Sequence, residues 1–343
     1  MVDKINRDKN DIFAIPILKT IFKNRVFITA VQIIVLSLFA YAVYFGFINP
    51  TKENIFTKNV FWGLFWSFFM VLTLVTFGRI FCGICPHGFL GKYITKFGLK
   101  KEMPNFLKNR YIGIFILVIG WWGIYYTFPG ALKVPFATAI MFTVLTVLAF
   151  VLYYLYKDMS YCKYICPIGT LTKAYQKISF TKLGTYKSAC MDCKTFECAT
   201  ACSYNLKPFT FDKKNSMDDC TLCMDCSDAC EAVNYKLVTP ASTLFSKTKV
   251  DKADVWVYIL VAASITLTMG FHHFLARTNI SDQLPWTVTA NYVNSIFNIP
   301  GVDLVGFFAF VYALIITTVV SILGMFIASK VLNEKFSTVF SSL

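Results

Sequence analysis

Charge is scarce in this chain. Asp, Glu, Lys and Arg make up 15 % of its 343 residues, against about a quarter in a soluble globular domain. With 56 % hydrophobic and 17 % aromatic residues, the composition is that of a membrane protein. Acids are the scarcer sign: 19 Asp and Glu face 33 Lys and Arg, for a net charge of +14. That excess would suit nucleic acid, but it sits beside apolar runs and therefore reads as membrane topology, with no nucleic-acid partner. Histidine occurs three times, as His87, His272 and His273, and these do not place two axial haem ligands on one side. No GxGxxG and no phosphate loop occurs, so there is no nucleotide site. No Asp, Glu or Arg lies deep in an apolar run, which argues against a proton-pumping or transporter pathway.

Cysteine is plentiful, with twelve residues. Eight form the stretch Cys190-x2-Cys193-x4-Cys198-x3-Cys202, then Cys220-x2-Cys223-x2-Cys226-x3-Cys230. Two-residue gaps let one tight loop wrap three corners of an iron–sulfur cubane, and the last cysteine of each run ligates the other cluster. On that rule Cys190, Cys193, Cys198 and Cys230 hold one [4Fe–4S] cluster, and Cys220, Cys223, Cys226 and Cys202 the second. Zinc modules usually offer two CxxC knuckles well apart, which this spacing does not match. Ser203 and Glu231 follow the two runs where such motifs usually continue with proline. A disulfide framework belongs to small secreted chains, whereas thiolate ligands suit a reducing compartment.

Apolar runs at about 26–49, 59–78, 111–128, 136–156, 255–275 and 304–328 are each long enough to cross a hydrocarbon core of ~30 Å. Segments 1–25, 78–110, 157–254 and 329–343 carry 6, 7, 14 and 2 of the Lys and Arg, and the opposite loops only Lys52, Lys58, Lys133 and Arg277. The positive-inside rule therefore puts both termini, and every cysteine, at the cytoplasmic side of a bacterial inner membrane. Trp121, Trp122, Tyr125 and Tyr126 fall in the outer aromatic belt. Ala40-Tyr41-Ala42 mimics a signal-peptidase site, but apolar sequence continues past it. The expected fold is an α-helical membrane protein with six transmembrane helices. Residues 1–25 are a basic leader, 26–178 a duplicated four-helix unit, 179–254 an inserted cytoplasmic α+β ferredoxin-like module with two clusters, and 255–343 a C-terminal helix pair with a short outer loop. The module holds six lysines and eight acids over 186–238, an acidic surface that either docks a basic donor or is simply solvated.

The duplication rests on the other four cysteines. Cys85-Pro86-His87-Gly88-Phe89-Leu90-Gly91-Lys92 matches Cys166-Pro167-Ile168-Gly169-Thr170-Leu171-Thr172-Lys173 at Cys, Pro, Gly, Leu and Lys, with Cys82 and Cys162 preceding. Each Cys-Pro is expected to open a short amphipathic helix along the membrane surface. A thiol at a helix start is expected to have a lowered pKa and to be primed for metal or redox work. Cys82, Cys85, Cys162 and Cys166 can thus meet as one four-thiolate site: a third cluster, another thiolate-bound metal, or a dithiol shuttle. Buried thiols beside a turn are the plain alternative.

Paired spans ending in Cys-Pro, the run Tyr161-Cys162-Lys163-Tyr164-Ile165-Cys166-Pro167-Ile168-Gly169, and the double cysteine motif after them resemble the membrane polyferredoxins that accompany periplasmic nitrate and nitrous-oxide reductases. They also resemble the related ferredoxin-like assembly factor of copper-containing haem oxidases. The likeness covers about residues 26–238. Cys82 and Cys85 are two residues apart where the family has three, and no extracytoplasmic β-domain or flavin domain follows. The resemblance implies electron transfer at the membrane through iron–sulfur clusters. The donor would be the quinone pool or a cytoplasmic carrier, and the acceptor a membrane or periplasmic metalloenzyme, so the chain would be a component of a quinol-linked oxidoreductase. Two other readings are a factor that reduces or handles copper at the four membrane-face thiolates, and a redox-sensing or anchoring subunit without turnover. His272 and His273 near the outer end of the fifth span read as interfacial packing, or as a quinone or metal contact.

Overall fold

A basic stretch ahead of an apolar run needs something to stop its backbone from continuing as one helix, and Asn24 does this. Its side chain accepts the Phe27 N–H, separating α1 (Pro16–Lys23) from α2 (Arg25–Ile48) as an N-cap. The computed structural model describes residues 6–51, 53–128, 134–191, 193–213, 215–239 and 251–341. Lys52, Lys133 and Asp192, and the 240–250 end of the expected module, lie outside the described residues.

After α2 come α3 (Phe56–Thr76), the short α4 (Ile80–Ile84), α5 (Pro86–Phe97), α6 over 110–127 and α7 (Pro135–Leu155). α8 (Pro167–Gln176) precedes an antiparallel pair, β1 (Thr181–Thr185) and β2 (Val233–Leu237). α9 (Lys252–Arg277), α10 (Pro285–Phe297) and α11 (Leu304–Val331) complete the set. Five helices, α2, α3, α7, α9 and α11, are long and apolar enough to cross a membrane. The run expected as the third span is helical as α6, about 27 Å long at 1.5 Å per residue, but among the described residues it is not one of the five candidate spans. Its outer half is Trp121, Trp122, Tyr125 and Tyr126, which dilute its hydropathy. Apolar side chains left exposed on α11, such as Ile315, Val319, Val320, Leu323 and Ile327, are the surface a lipid tail would cover.

α2 and α7 cross so closely at Gly46 that a Cβ there would lie 2.6 Å from the Pro135 carbonyl oxygen. Beside that crossing, Phe39, Phe61, Trp66 and Phe142 pack edge-on or tilted, an arrangement that adds to the gain from area burial alone. Both Cys-Pro motifs open a helix, with Cys85 and Cys166 as the residues preceding α5 and α8.

Two expectations change. The outer connection is not a simple loop, because Pro285 starts α10, whose buried Trp286 stacks on Phe271 at 4.0 Å. The N-terminal segment is more than a leader. Its Phe13 is 1 % exposed and packs with Leu183, Phe211, Val233 and Tyr235 of the cysteine-rich module. Asp11 forms a bridge to Lys236, its Oδ1 accepts the Phe13 and Tyr235 N–H groups, and its Oδ2 accepts from Arg7 and the Tyr186 hydroxyl.

The ribbon β1–β2, in register from Thr181 against Leu237 to Thr185 against Val233, closes the two ends of the eight-cysteine stretch. Asp11 in effect caps that ribbon. Asp11→Ala strands buried donors on Tyr235 and Arg7, a cost of about 2–4 kcal/mol. Limited proteolysis should then cut near Lys9 and Lys19 much faster than in the parent. Asp8→Ala removes only an exposed pair with Lys236 and should leave the cutting rate unchanged.

Candidate metal centres

The eight-cysteine stretch folds as coils held by residues in the left-handed region: Phe196 at φ 47° between Cys193 and Cys198, and Leu222 and Met224 at φ 54° and 61° on either side of Cys223. None of the three is glycine, so surrounding structure must hold them there. Such turns aim backbone N–H groups at one point and make a concavity for an anion. Here the N–H groups of Phe196, Leu222 and Asp225 point at the sulfurs of Cys193, Cys220 and Cys223.

Two sets of four thiols emerge. Burial, with the nearby Cys230, Cys190 and Cys193 charges, pushes the Cys198 thiol up to about 11. Cys226 is raised further, first by burial and then by Cys220, Cys223 and Cys202. Cys198 also faces Cys226, so the sets adjoin. Among the described residues no three His, Cys, Asp or Glu side chains converge tightly enough for one metal ion.

The membrane-face cysteines also come together. Cys82, Cys85, Cys162 and Cys166 line one cavity of ≈ 40 Å³ walled by Phe81, Trp66, Trp121 and Tyr161. Cys82 Sγ shares a hydrogen bond with Thr172 Oγ1 of the other repeat at 3.2 Å, and Cys162 Sγ with the Tyr153 hydroxyl at 2.8 Å. The Gly169 N–H donates to Cys166 Sγ at 3.3 Å. His87 lines the cavity too, is held by Thr146 at 2.8 Å, and is driven down to about 4 by burial. It is therefore a neutral wall at physiological pH. The expected low thiol pKa at the helix starts is corrected. Burial, then Cys82 and Cys162, pushes Cys85 up to about 12, and burial raises Cys166 as well. Backbone N–H groups at the helix starts oppose this without offsetting it. A bound cation would have to displace these protons.

Arg79 lies behind the cavity wall, next to Cys82 and Cys162. It is completely buried, and burial works against its charge, yet Cys82, Asp219 and Cys162 hold it protonated. Its Nη1 donates to the Asp218 carbonyl at 2.9 Å, while Nε and Nη2 are buried with no acceptor among the described residues. A guanidinium with orphaned N–H groups beside Cys82 and Cys162 has room for a further anion, and thiolates ligating an inorganic cluster with sulfide corners would provide it.

The repeat also explains how the soluble module meets the membrane face. Lys92 and Lys173 occupy matching positions in the two Cys-Pro motifs, and each reaches the residue just before a module cysteine. Lys92 Nζ lies 2.5 Å from Asp225 Oδ2, ahead of Cys226; Lys173 Nζ lies 2.7 Å from Asp219 Oδ1, ahead of Cys220. Arg25 also pairs with Asp225, and Lys177 with Asp218 at 3.1 Å. Between these clamps Gly83, inside the Cys82–Cys85 turn, touches the module directly. A Cβ there would sit 2.9 Å from the carbonyl oxygens of Thr221 and Leu222. Most of the module's acids thus face the chain's own bases: Glu231 meets Lys19 and Lys23, and Asp212 meets Lys187.

Sequence reasoning named the twelve cysteines as candidate ligands but missed Arg79, Tyr153 and the two lysines' partners. The shared lysine of the repeat was the available signal. His272 Nε2 meets Asp303 Oδ2 at 2.9 Å, a pairing across 31 residues that no local pattern announces.

A family model described as a 4Fe-4S binding domain matches residues 59–104 and again 138–185. One model thus fits both repeats, including Cys82 and Cys85 in the first match and Cys162 and Cys166 in the second. The chain is iron–sulfur and ferredoxin-type in character, with helices compatible with a membrane. An uncharacterized protein of Methanocaldococcus jannaschii is 27 % identical over 179 residues, 47 % of this chain and 72 % of that protein. A second uncharacterized protein of the same organism is 25 % identical over 167 residues, 45 % of this chain and 62 % of its own length. No solved structure matches.

Lys92→Met leaves Asp225, 7 % exposed, short of its buried partner. Breaking such a pair costs about 3 kcal/mol, seen as a lower unfolding temperature of the purified protein. Adding Asp225→Leu should recover part of that loss, because Arg25 is 46 % exposed and can turn to water.

Proposed function

We propose that this chain is a membrane electron-transfer protein with three thiolate-held iron–sulfur centres. Cys190, Cys193, Cys198 and Cys230 hold the first, Cys202, Cys220, Cys223 and Cys226 the second, and Cys82, Cys85, Cys162 and Cys166 the third at the membrane face. A [4Fe–4S] cluster supplies one-electron storage at a potential set by charge, hydrogen bonds and solvent exposure. The observation that carries the reading is the seat of the Cys220–Cys226 loop on Gly83, which brings a module site against the membrane-face site.

The chain's residues supply position and environment. Lys92 and Lys173 fix the loop, and Arg79 balances negative charge between the two sites. Tyr153 and Thr172 share hydrogen bonds with Cys162 and Cys82, and Phe81 and Tyr161 keep water from the thiols. The basic segments put the module and both termini in the cytoplasm of a bacterial inner membrane crossed six times. Electrons would run between the quinone pool or a cytoplasmic donor and a membrane or periplasmic metalloenzyme. Burial of Cys82 and Cys162 favours a resident centre over copper passed on to a partner.

Anaerobically purified protein should contain about twelve irons per chain, four for each cubane. Cys82→Ser with Cys166→Ser should remove about four and leave the module's paramagnetic signals in place. About eight irons in the parent would eliminate the third centre.

A further inference from the structure

Tyr204 belongs to the cysteine-rich module, two residues after Cys202, yet its side chain is packed into the membrane-face repeat. It is 1 % exposed and shares one buried cluster with Tyr153, Tyr161, Cys162 and Ile165. Both copies of the repeat hold it. From the second copy, Lys163 Nζ donates to the Tyr204 carbonyl oxygen at 2.8 Å. In the first copy Gly88 leaves the space: a Cβ there would lie 3.8 Å from the Tyr204 hydroxyl oxygen and 2.7 Å from the Cys82 carbonyl oxygen. The ionisable groups that act on the hydroxyl are Cys162, Arg79, Cys223 and Cys82, drawn from both the membrane face and the module.

The hydroxyl is a donor without a use in this packing. It reaches toward Cys162 but closes no regular hydrogen bond with any described residue, and a buried donor left without an acceptor is costly. Cys162 Sγ already shares a hydrogen bond with the Tyr153 hydroxyl, and a thiol sulfur is a weak acceptor with little to offer a second donor. Ligation changes that. Metal binding removes the thiol proton, and the electron-rich sulfur that remains accepts hydrogen bonds more readily. Rotation about the C–O bond then aims the Tyr204 hydroxyl hydrogen without moving the ring.

We propose that Tyr204 is a positioning residue between the second and third centres, tied through the backbone to Cys202 of one and hydrogen-bonded through its hydroxyl to Cys162 of the other, and that it tunes the potential of the third. The inference rests on the electron-transfer reading above. One electron leaves a reduced centre and one enters its neighbour, while Tyr204 is neither oxidised nor deprotonated. A donor on a ligating sulfur stabilises the reduced centre, which carries one more negative charge, and so raises its potential.

The test is a potentiometric titration of the full chain, purified anaerobically in detergent and followed by paramagnetic resonance. The third centre is the signal missing from the variant carrying Cys82→Ser and Cys166→Ser. Tyr204→Phe keeps the ring and deletes the hydroxyl. It should bias the third centre toward its oxidised state about fivefold, the value of one ordinary hydrogen bond, which is about 40 mV downward for one electron. Its iron content should match the parent's. Tyr126→Phe removes another buried hydroxyl with no partner among the described residues, at the outer end of α6, and should move no potential.

A third-centre potential equal in the parent and Tyr204→Phe, or a shift confined to the second centre, overturns the assignment. An equal shift in Tyr126→Phe overturns it too, and loss of iron from Tyr204→Phe would make the residue structural instead. An iron count of about eight in the parent removes the third centre and the role of Tyr204 with it, whereas about twelve irons with an unmoved potential removes the role of Tyr204 alone.

Discussion

Two lysines at equivalent places in a duplicated motif hold this molecule together. Lys92 and Lys173 are both nearly buried, and each meets an aspartate that directly precedes a cysteine of the module. An ammonium taken out of water is expensive unless paired, so neither lysine can relax without its aspartate. The membrane unit is pseudosymmetric, but the loop it grips is not, and the two clamps land at opposite ends of a single seven-residue stretch, Asp219 to Asp225. Everything between those ends, including the left-handed Leu222 and Met224 and the contact on Gly83, follows from that grip.

The same economy governs the remaining charge. A module rich in acids beside a strongly basic membrane face invites the idea of an external basic partner. The structure instead turns Asp218, Asp219 and Asp225 onto Lys177, Lys173 and Lys92, and pairs the exposed Glu231 with the N-terminal bases. Arg79 extends the pattern into the interior, where it lies near Asp219, Cys82 and Cys162 with Nε and Nη2 lacking an acceptor among the described residues. Positive charge at that point would favour electron-rich centres on both sides of it.

Much of this was legible in the sequence, and what was not has a common cause. Apolar length announces a helix directly, so the run read at 26–49 appears as Arg25–Ile48 and that at 304–328 as Leu304–Val331. Cysteine spacing announces a cluster loop, and the Cys-Pro repeat announced two surface helices. Long-range pairings leave no such trace. Nothing near Phe13 or Asp11 says that they pack on Tyr235, more than two hundred residues away. The thiol environment was misjudged because a helix start was weighed without its burial, and at Cys85 the desolvation is the larger effect. The six-span expectation depends on α6, whose aromatic residues leave it outside the five candidate spans.

The central claim is that the clamped Cys220–Cys226 loop and the membrane-face thiols hold neighbouring centres. Paramagnetic resonance of the fully reduced protein tests this most directly. The account predicts a spectrum broadened by spin coupling, which sharpens into independent module signals when Cys82 and Cys166 are both changed to serine. Identical spectra from the two proteins would contradict it.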